Sequence, residues 1–321
     1  MKRLTFILFA AFAALASCQK NITPGNGVQL NISAAVSEPT ATKTSYEYNS
    51  GSQAGTISVS WEATEYITVV SIGESGITAV DEFVSTGDAG RTKAEFTGTW
   101  NGSVGDKVIC LYPALTEGGA SGPGAAIFSG VEVGSPSITL NSLDLAYSGS
   151  NVPVGDPNSI KNADVMVGEV SISETNASVM LNRKISVFRV TVSAPSIWWY
   201  TPYFEYVTSI KLSAANPSSA PAVFATSASL AATKSSYTGE FIPVTFGTMT
   251  FGCLIKSDSG SYTYYYPVLA KDELDSGYRI NVNGHSTSKG DDYSDYPDSK
   301  EITSRLHIYP GYVYALNGIS F

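Results

Sequence analysis

The sequence contains few of the residues that most enzymes use for catalysis or metal binding. Its 321 residues include two histidines, His285 and His307, and three cysteines. They form no His-Glu-x-x-His motif, no cysteine pairs at zinc spacing and no Ser-His-Asp arrangement, and no phosphate-binding loop is present. Glycoside hydrolysis needs two carboxylates a few ångströms apart, and the 28 acidic residues include no distinctive pair. We therefore predict a protein that is not an enzyme and has no catalytic residues, metal ligands or cofactor.

Charged residues are also scarce, at 15% of the chain, and they sum to a net charge of −9. Nucleic-acid binding needs a basic surface that neutralises phosphates, so the acidic balance excludes nucleic acid as a partner. The same balance argues against flat binding to an anionic lipid surface. Low charge with abundant Gly and Tyr, at 29 and 19 residues, is typical of an extracellular β protein.

A long apolar run occurs at the N-terminus, where residues 4–16 follow a basic head. The run is shorter than the ~20 residues that a transmembrane helix needs, and this pattern is typical of a secretory signal. The sequence Leu15-Ala16-Ser17-Cys18 resembles a bacterial lipobox. It predicts cleavage between Ser17 and Cys18 and a lipid anchor on Cys18. The alternative is an ordinary signal that precedes a cysteine by coincidence.

The other two cysteines, Cys110 and Cys253, lie in apolar runs that indicate buried strands. They are 143 positions apart in separate predicted domains, which favours two buried free thiols. The alternative is an inter-domain disulfide, which an oxidising compartment would allow.

Alternation with a period of two dominates the chain after residue 26 and predicts many short β-strands. Turn signals such as Asn101-Gly102 and Asn283-Gly284 separate the runs, and outside the signal we find no convincing helical period over ten or more residues. We therefore predict an all-β fold of antiparallel β-sandwiches. The cleanest alternation places five residues on one face of a first strand: Val28, Leu30, Ile32, Ala34 and Val36.

The predicted domain organisation has four parts. Residues 1–17 form the signal and residues 18–26 a polar tether. A Gly-, Ser- and Pro-rich stretch at residues 147–162 marks a boundary, which predicts one sandwich over residues 27–155 and a second over residues 156–321.

Six segments, in order along the chain, carry a resemblance to a known family. They are Thr42-Lys43-Thr44-Ser45-Tyr46, Val59-Ser60-Trp61-Glu62-Ala63-Thr64-Glu65-Tyr66-Ile67-Thr68-Val69, Leu111-Tyr112-Pro113, Asp164-Val165-Met166, Leu181-Asn182-Arg183-Lys184-Ile185-Ser186-Val187-Phe188-Arg189-Val190 and Gly311-Tyr312-Val313-Tyr314-Ala315-Leu316. Together they resemble the fimbrillin-like family, the subunits of type V pili, over nearly the whole mature chain. The sequence departs from the family at Thr64-Glu65, where Gly-Asp is usual, and at Arg183, where His is frequent.

The resemblance implies two consecutive transthyretin-like β-sandwiches in a lipoprotein of the outer membrane or fimbrium. In this family a protease removes the anchor together with the first strand, and a strand of a neighbouring subunit fills the groove that opens. Such strand addition combines backbone hydrogen bonds at a sheet edge with pockets for alternate side chains. It implies other pilus subunits as partners, and a host or bacterial surface receptor or glycan as a target of adhesion.

Applied to this chain, the resemblance implies that residues 28–36 are the displaceable first strand. Lys43-Thr44 is the predicted site of proteolytic maturation, because Lys43 is the first basic residue after that strand. Family stalk subunits are often cut after Arg, and no Arg lies between Cys18 and Arg91. The alternative is a permanent first strand. The C-terminal residues are either the last strand of the second sandwich, which we favour, or part of a donor strand.

An aromatic segment supplies a second hypothesis. Residues 197–206 contain six aromatic side chains, and Pro195 and Pro202 favour a loop or a sheet edge in this region. Exposed Trp and Tyr rings bind sugars and protein partners, so the predicted surface comprises Trp198, Trp199, Tyr200 and Tyr203. A loop folded over the end of a sandwich is the alternative. The sequence thus predicts an accessory or tip pilus subunit that mediates adhesion, or alternatively a separate surface lipoprotein that binds glycans.

Overall fold

The computed structural model describes residues 27–37, 48–49, 54–57, 60–141, 160, 162–173, 175–193, 206–214, 224–247, 249–256, 261–269, 278–285, 298–302 and 310–320. Regular structure in these residues is nearly all β-strand, which confirms the all-β prediction. The described α-helix is α1 (Gly124–Ile127), and no helix in the described ranges is long and apolar enough to cross a membrane.

The strands are numbered in chain order. They are β1 (Val28–Ser37), β2 (Tyr48–Asn49), β3 (Ala54–Ile57), β4 (Thr64–Ile72), β5 (Ile77–Thr86), β6 (Lys93–Trp100), β7 (Lys107–Tyr112), β8 (Thr116–Glu117), β9 (Ala120–Ser121), β10 (Phe128–Ser129), β11 (Ser137–Leu140), β12 (Met166–Ser173), β13 (Asn176–Arg183), β14 (Ile185–Ser193), β15 (Tyr206–Ala214), β16 (Phe224–Ala231), β17 (Ile242–Gly247), β18 (Met249–Lys256), β19 (Ser261–Leu269), β20 (Tyr278–His285), β21 (Asp298–Ile302) and β22 (Tyr312–Ser320).

Seven strands close into a barrel in the order β1–β13–β12–β7–β4–β5–β6. Neighbouring strands are antiparallel except β1 and β13, which run parallel. Closure gives every edge of these strands a partner, whereas the two sheets of a sandwich leave edges open. These seven strands therefore form a closed barrel, whereas the sequence predicted a sandwich over residues 27–155. The difference arises because β1 pairs with a distant strand as well as with β6.

Strands from both sides of residue 155, the predicted boundary, lie in the same sheets. β12 and β13 follow the boundary and pair with β7 and β1, while β3 precedes it and pairs with β22. The segments 27–155 and 156–321 thus complete each other's sheets by hydrogen bonding. Their division into two transthyretin-like domains stays a prediction.

The other strands form four sheets. One has the order β19–β14–β22–β3–β2, and another has the order β10–β11–β16–β17. A third has the order β18–β15–β20–β21, and β8 pairs with β9. All these pairs are antiparallel except β14 and β22. β22 contains most of the C-terminal residues, which agrees with the favoured interpretation of that tail as a strand of its own sheet.

Two clusters of buried side chains divide the interior. One lies inside the barrel and includes Leu30, Phe83 and Cys110. The other lies on the outer side of β4, β7 and β12, where residues such as Leu111 pack against side chains from β11, β14, β16, β19 and β22. Successive side chains of a strand point to opposite faces, so β7 is buried on both sides.

The cysteine prediction is confirmed for Cys110, which is a buried free thiol on the inner face of β7. Burial away from water raises the pKa of this thiol strongly, because the thiolate would lose its hydration. Cys253 lies in β18, but its side chain is outside the described part of the chain.

Candidate functional site

The predicted first strand lies between two strands of the barrel. β1 runs antiparallel to β6 over residues 28–35 and parallel to β13 over residues 31–37. It therefore fills a space that two strands from distant parts of the chain border, here called the β1 groove. Both backbone edges of β1 form hydrogen-bonded ladders, one with β6 and one with β13. A strand that binds between two sheet edges needs both ladders.

The predicted alternation along β1 is confirmed. Leu30, Ile32 and Ala34 point into the barrel and are 1%, 0% and 0% exposed. Val28 and Val36 are partly buried and pack against the same cluster. Full burial of a large aliphatic side chain stabilises a fold by about 1.5–3 kcal/mol, so the inward residues hold β1 in its groove.

The outward face of β1 is polar and lies near solvent. Gln29 and Asn31 are exposed, and the Gln29 amide donates a hydrogen bond of 2.5 Å to Thr99 Oγ1 on β6. The Ser33 hydroxyl is buried and has no hydrogen-bond partner among the described residues. β1 thus contributes to the core with one face, in contrast to β7. It could leave the barrel without removing side chains from the outer cluster.

Close packing fixes the start of β1. A Cβ atom on Gly27 would overlap Thr99 Cγ2 and lie 2.9 Å from Asn101 Oδ1. The Asp81 carboxylate holds Asn101 in place. It accepts hydrogen bonds of 2.9 Å from the Asn101 backbone N–H and 2.6 Å from the Asn101 side-chain amide. A larger residue at position 27 would therefore have to displace one of these two side chains.

Asp88 organises the turn between β5 and β6. Its carboxylate accepts hydrogen bonds of 3.0 Å from Glu95 N, 2.8 Å from Ser85 Oγ and 2.9 Å from Arg91 Nη1. The backbone hydrogen bond from Glu95 is the main cause that lowers the pKa of Asp88, and the Ser85 hydroxyl adds to it. Because Ala35 pairs with Lys93 at the start of β6, this turn lies at the end of β1.

Buried polar groups lie at the same end of the barrel. Tyr112 is buried, and its hydroxyl is 3.4 Å from Glu65 Oε2. Burial, followed by the negative charge of Glu65, raises the pKa of Tyr112 well above its usual value. Asp164 and Arg183 form a buried ion pair where β12 begins and β13 ends.

A cavity of about 650 Å³ opens where β1 ends, and Ser37 contributes to its lining. Two ion pairs flank it: Lys107 with Glu169 at 3.4 Å, and Lys184 with Glu240 at 3.3 Å. The Lys107 ammonium also lies 4.9 Å from the centre of the ring of Tyr237, another lining residue. Partial burial, followed by the charges of the two glutamates, raises the pKa of that tyrosine to about 12.

The remaining predicted site residues lie outside the described part of the chain, so their roles stay predictions. Within the described ranges no group of three or more His, Cys, Asp or Glu side chains could hold a metal ion. The residues outside are the lipidation and signal-cleavage pair Ser17 and Cys18, the maturation pair Lys43 and Thr44, and the aromatic residues Trp198, Trp199, Tyr200 and Tyr203.

The second border of the groove could not be predicted from the sequence. β13 follows β1 by more than 130 residues, and no local pattern links them. The buried pair Asp164–Arg183 was also missed, although both residues lie in segments that carry the family resemblance. A charged residue at an inward position of an alternating strand, as Arg183 is on β13, is a signal that could have indicated a buried partner.

No protein-family model and no curated protein matches this sequence. A candidate cell adhesion protein from Bacteroides ovatus is similar in structure, with 11% identity, a TM-score of 0.48 and coverage of 90% of this chain and 91% of that chain. One from Bacteroides eggerthii has 16% identity, a TM-score of 0.39 and coverage of 92% and 86%. The fimbrial anchor protein Mfa2 from Porphyromonas gingivalis has 10% identity, a TM-score of 0.37 and coverage of 83% of each chain.

Proposed function

We propose that this chain is a lipid-anchored cell-surface protein of the fimbrial type, an accessory or tip subunit in which a strand of a neighbouring subunit replaces β1. Cys18 carries the lipid anchor at the outer membrane. A protease cuts between Lys43 and Thr44, and the neighbour's strand then occupies the β1 groove. The assembled protein mediates adhesion.

The position of β1 carries this proposal. β1 closes the barrel through backbone ladders to β6 and β13, and its inward side chains belong to the inner cluster alone. Its departure would expose the apolar interior of the barrel and two unpaired strand edges. Both are costly in water, so a second strand of the same pattern would bind strongly.

The connection between β1 and the rest of the chain supports the proposed cut. Lys43 lies six residues after Ser37 and five before Tyr48. The strands that follow stay bound, because β2 pairs with β3 and β3 pairs with β22. A cut at Lys43 would therefore separate β1 and the anchor from a body whose later strands have other partners.

Cleavage would also change the competition for the groove. An intact connection keeps β1 at a high effective concentration, on the order of millimolar for a short flexible linker. After the cut, β1 competes with a neighbour's strand as a separate chain. β22 is already hydrogen-bonded to β14 and β3, which favours a subunit that accepts a strand over one that donates β22.

Limited proteolysis tests the proposal. Protein without its signal is treated with a Lys/Arg-specific protease, and intact mass identifies the cut. A labelled peptide with the sequence of residues 27–37 then represents the incoming strand, and gels with and without boiling detect its stable uptake. We expect a cut at Lys43 followed by uptake that boiling reverses.

A matched variant separates cleavage of the connection from cleavage of the tether. Lys20 and Lys43 are the basic residues between Cys18 and Arg91, so Lys43→Gln leaves a cut at Lys20 that keeps β1 attached. This variant should take up no peptide. Equal uptake by the variant, or a body that resists cutting at Lys43 and takes up no peptide, would contradict the proposal.

A further inference from the structure

We propose that the β1 groove selects its occupant by the order of side-chain sizes, and that it accepts a strand with two bulky aliphatic residues at positions i and i+2 followed by alanine or glycine at i+4. This inference rests on the proposed replacement of β1 and specifies the partner. On β1 itself the three positions are Leu30, Ile32 and Ala34, all fully buried.

Each of the first two positions has one small neighbour, which leaves room for a bulky side chain. Leu30 lies opposite Gly98 of β6, which contributes no side chain. A Cβ atom on Gly98 would lie 2.6 Å from the ring of Phe83, so a side chain at position 98 would clash with that ring. Ile32 lies between Phe96 of β6 and Ala177 of β13.

The third position differs because two alanines meet there. Ala34 lies opposite Ala94 of β6 on one side and Val179 of β13 on the other. Protein interiors are close-packed, so two adjacent alanines in a buried layer require a large side chain from elsewhere to fill the space. All three residues belong to the inner cluster, which also contains the indole of Trp61.

Backbone hydrogen bonds hold Trp61 beside the loop that leads into β6. Its N–H donates to the carbonyl of Arg91 at 3.0 Å, and its own carbonyl accepts from Gly90 N at 2.9 Å. Its ring meets Phe96 edge-on, with centroids 5.1 Å apart and planes at 78°. Ala94 lies between Arg91 and Phe96 and points to the same face as Phe96. The indole thus contacts Phe96 in the cluster that also contains Ala34 and Ala94, and in this proposal it fills the space beside the two alanines.

A bulky side chain at the third position would meet the indole of Trp61. That ring also makes an edge-on contact with Tyr112, with centroids 5.8 Å apart, so a shift of the indole would disturb both aromatic contacts. Overpacked cores force side chains from their rotamers and shift the backbone. An occupant with leucine at position 34 should therefore bind at least about tenfold more weakly than one with alanine.

Peptide exchange into the full chain tests the size order. A recognition sequence for a site-specific protease is placed between Ser37 and Tyr48, and the chain is cut with β1 still bound. Uptake is then compared for labelled peptides of residues 27–37 with the native order, with Ala34→Leu, and with Ile32 and Ala34 exchanged. The exchanged peptide has the native composition, and its small residue stays central in either strand direction.

We expect the native peptide to enter and both altered peptides to bind at least about tenfold more weakly. Comparable affinity of the native and exchanged peptides would overturn the size order while leaving strand replacement intact. Failure of the native peptide itself to enter would overturn the proposed function. Trp61→Leu in the body should restore binding of the Ala34→Leu peptide. If that variant does not fold, the exchanged peptide decides the question alone.

Discussion

Arg183 binds Asp164 through two nitrogens, with Nε 2.8 Å from Oδ1 and Nη2 2.9 Å from Oδ2. The two side chains are 5% and 1% exposed, so the pair lies away from water. It joins a position two residues before the start of β12 to the end of β13, next to the strand edge that β1 uses. This contact therefore stabilises one border of the β1 groove.

Removal of one member of this pair should destabilise the protein strongly. Arg183→Met leaves a buried carboxylate and Asp164→Asn leaves a buried guanidinium, and each change should cost about 3–5 kcal/mol. The double variant leaves no unpaired charge, so its loss should be smaller than the sum of the two. Urea unfolding of all four proteins measures the difference. Strictly additive losses would contradict the pairing.

Asp88 should make stability depend on pH in the acidic range. Its folded pKa is lowered, chiefly by the backbone N–H of Glu95, so the unfolded chain binds a proton more readily than the folded protein. Its contribution is fully present above the unfolded pKa of about 4 and is lost as pH falls through the lower folded pKa. Unfolding free energies from pH 6 to pH 2 should show this loss.

Asp88→Asn should flatten the pH dependence in that window, because the amide does not titrate. Glu82→Gln is a matched control, since it changes a carboxylate on the strand that precedes the same turn without touching the Asp88 hydrogen bonds. An unchanged profile for Asp88→Asn would rule out the assigned role of this carboxylate.

Ser33→Ala should stabilise the folded protein with β1 bound in its groove. The Ser33 hydroxyl is buried without a hydrogen-bond partner in the described part of the protein, and such a group costs about 1–3 kcal/mol. Alanine removes the group, so the unfolding free energy should rise by about 1 kcal/mol. The release rate of β1 after cleavage should fall accordingly.

Gln29→Ala is the comparison for Ser33→Ala, because it removes an exposed hydrogen bond to Thr99 on the same face. It should leave the stability unchanged or lower it slightly. A loss of stability in Ser33→Ala would show that the hydroxyl has a partner in solution.

Cys110 should report on the opening of the barrel. Burial raises its thiol pKa and blocks access, so a thiol reagent should label it slowly at neutral pH when β1 is bound. β7 lies three strands from β1 in one direction around the barrel and four in the other, so departure of β1 should expose its inner face. Labelling should therefore accelerate after cleavage and strand release.

The labelling experiment uses Cys18→Ala and Cys253→Ala, so that Cys110 is the sole thiol. Mass spectrometry follows the modified fraction over time, with the Lys43→Gln background as a control that keeps β1 attached. Equal labelling rates with β1 bound and released would contradict an opened barrel.

Local patterns predicted much of the site itself. The period-two alternation of residues 28–36 identified a strand and its inward side chains, because a half-buried strand places alternate residues on one face. The same reasoning placed Cys110 in a buried strand. Trp61 appeared in the sequence as part of a family segment, and its contact with Phe96 could not be predicted because a loop hydrogen bond to Arg91 positions it.

The sequence by itself determined the all-β class, the first strand and the apolar face of that strand, since these depend on residues that are neighbours along the chain. The tertiary structure alone decided which strands border β1. Asn31 lies opposite Asn176 in the parallel ladder, and no short-range pattern encodes a pairing over such a distance. Closure of the barrel, the meeting of Ala34 with Ala94 and the burial of Asp164 with Arg183 all follow from that long-range pairing, because packing joins side chains that the sequence separates.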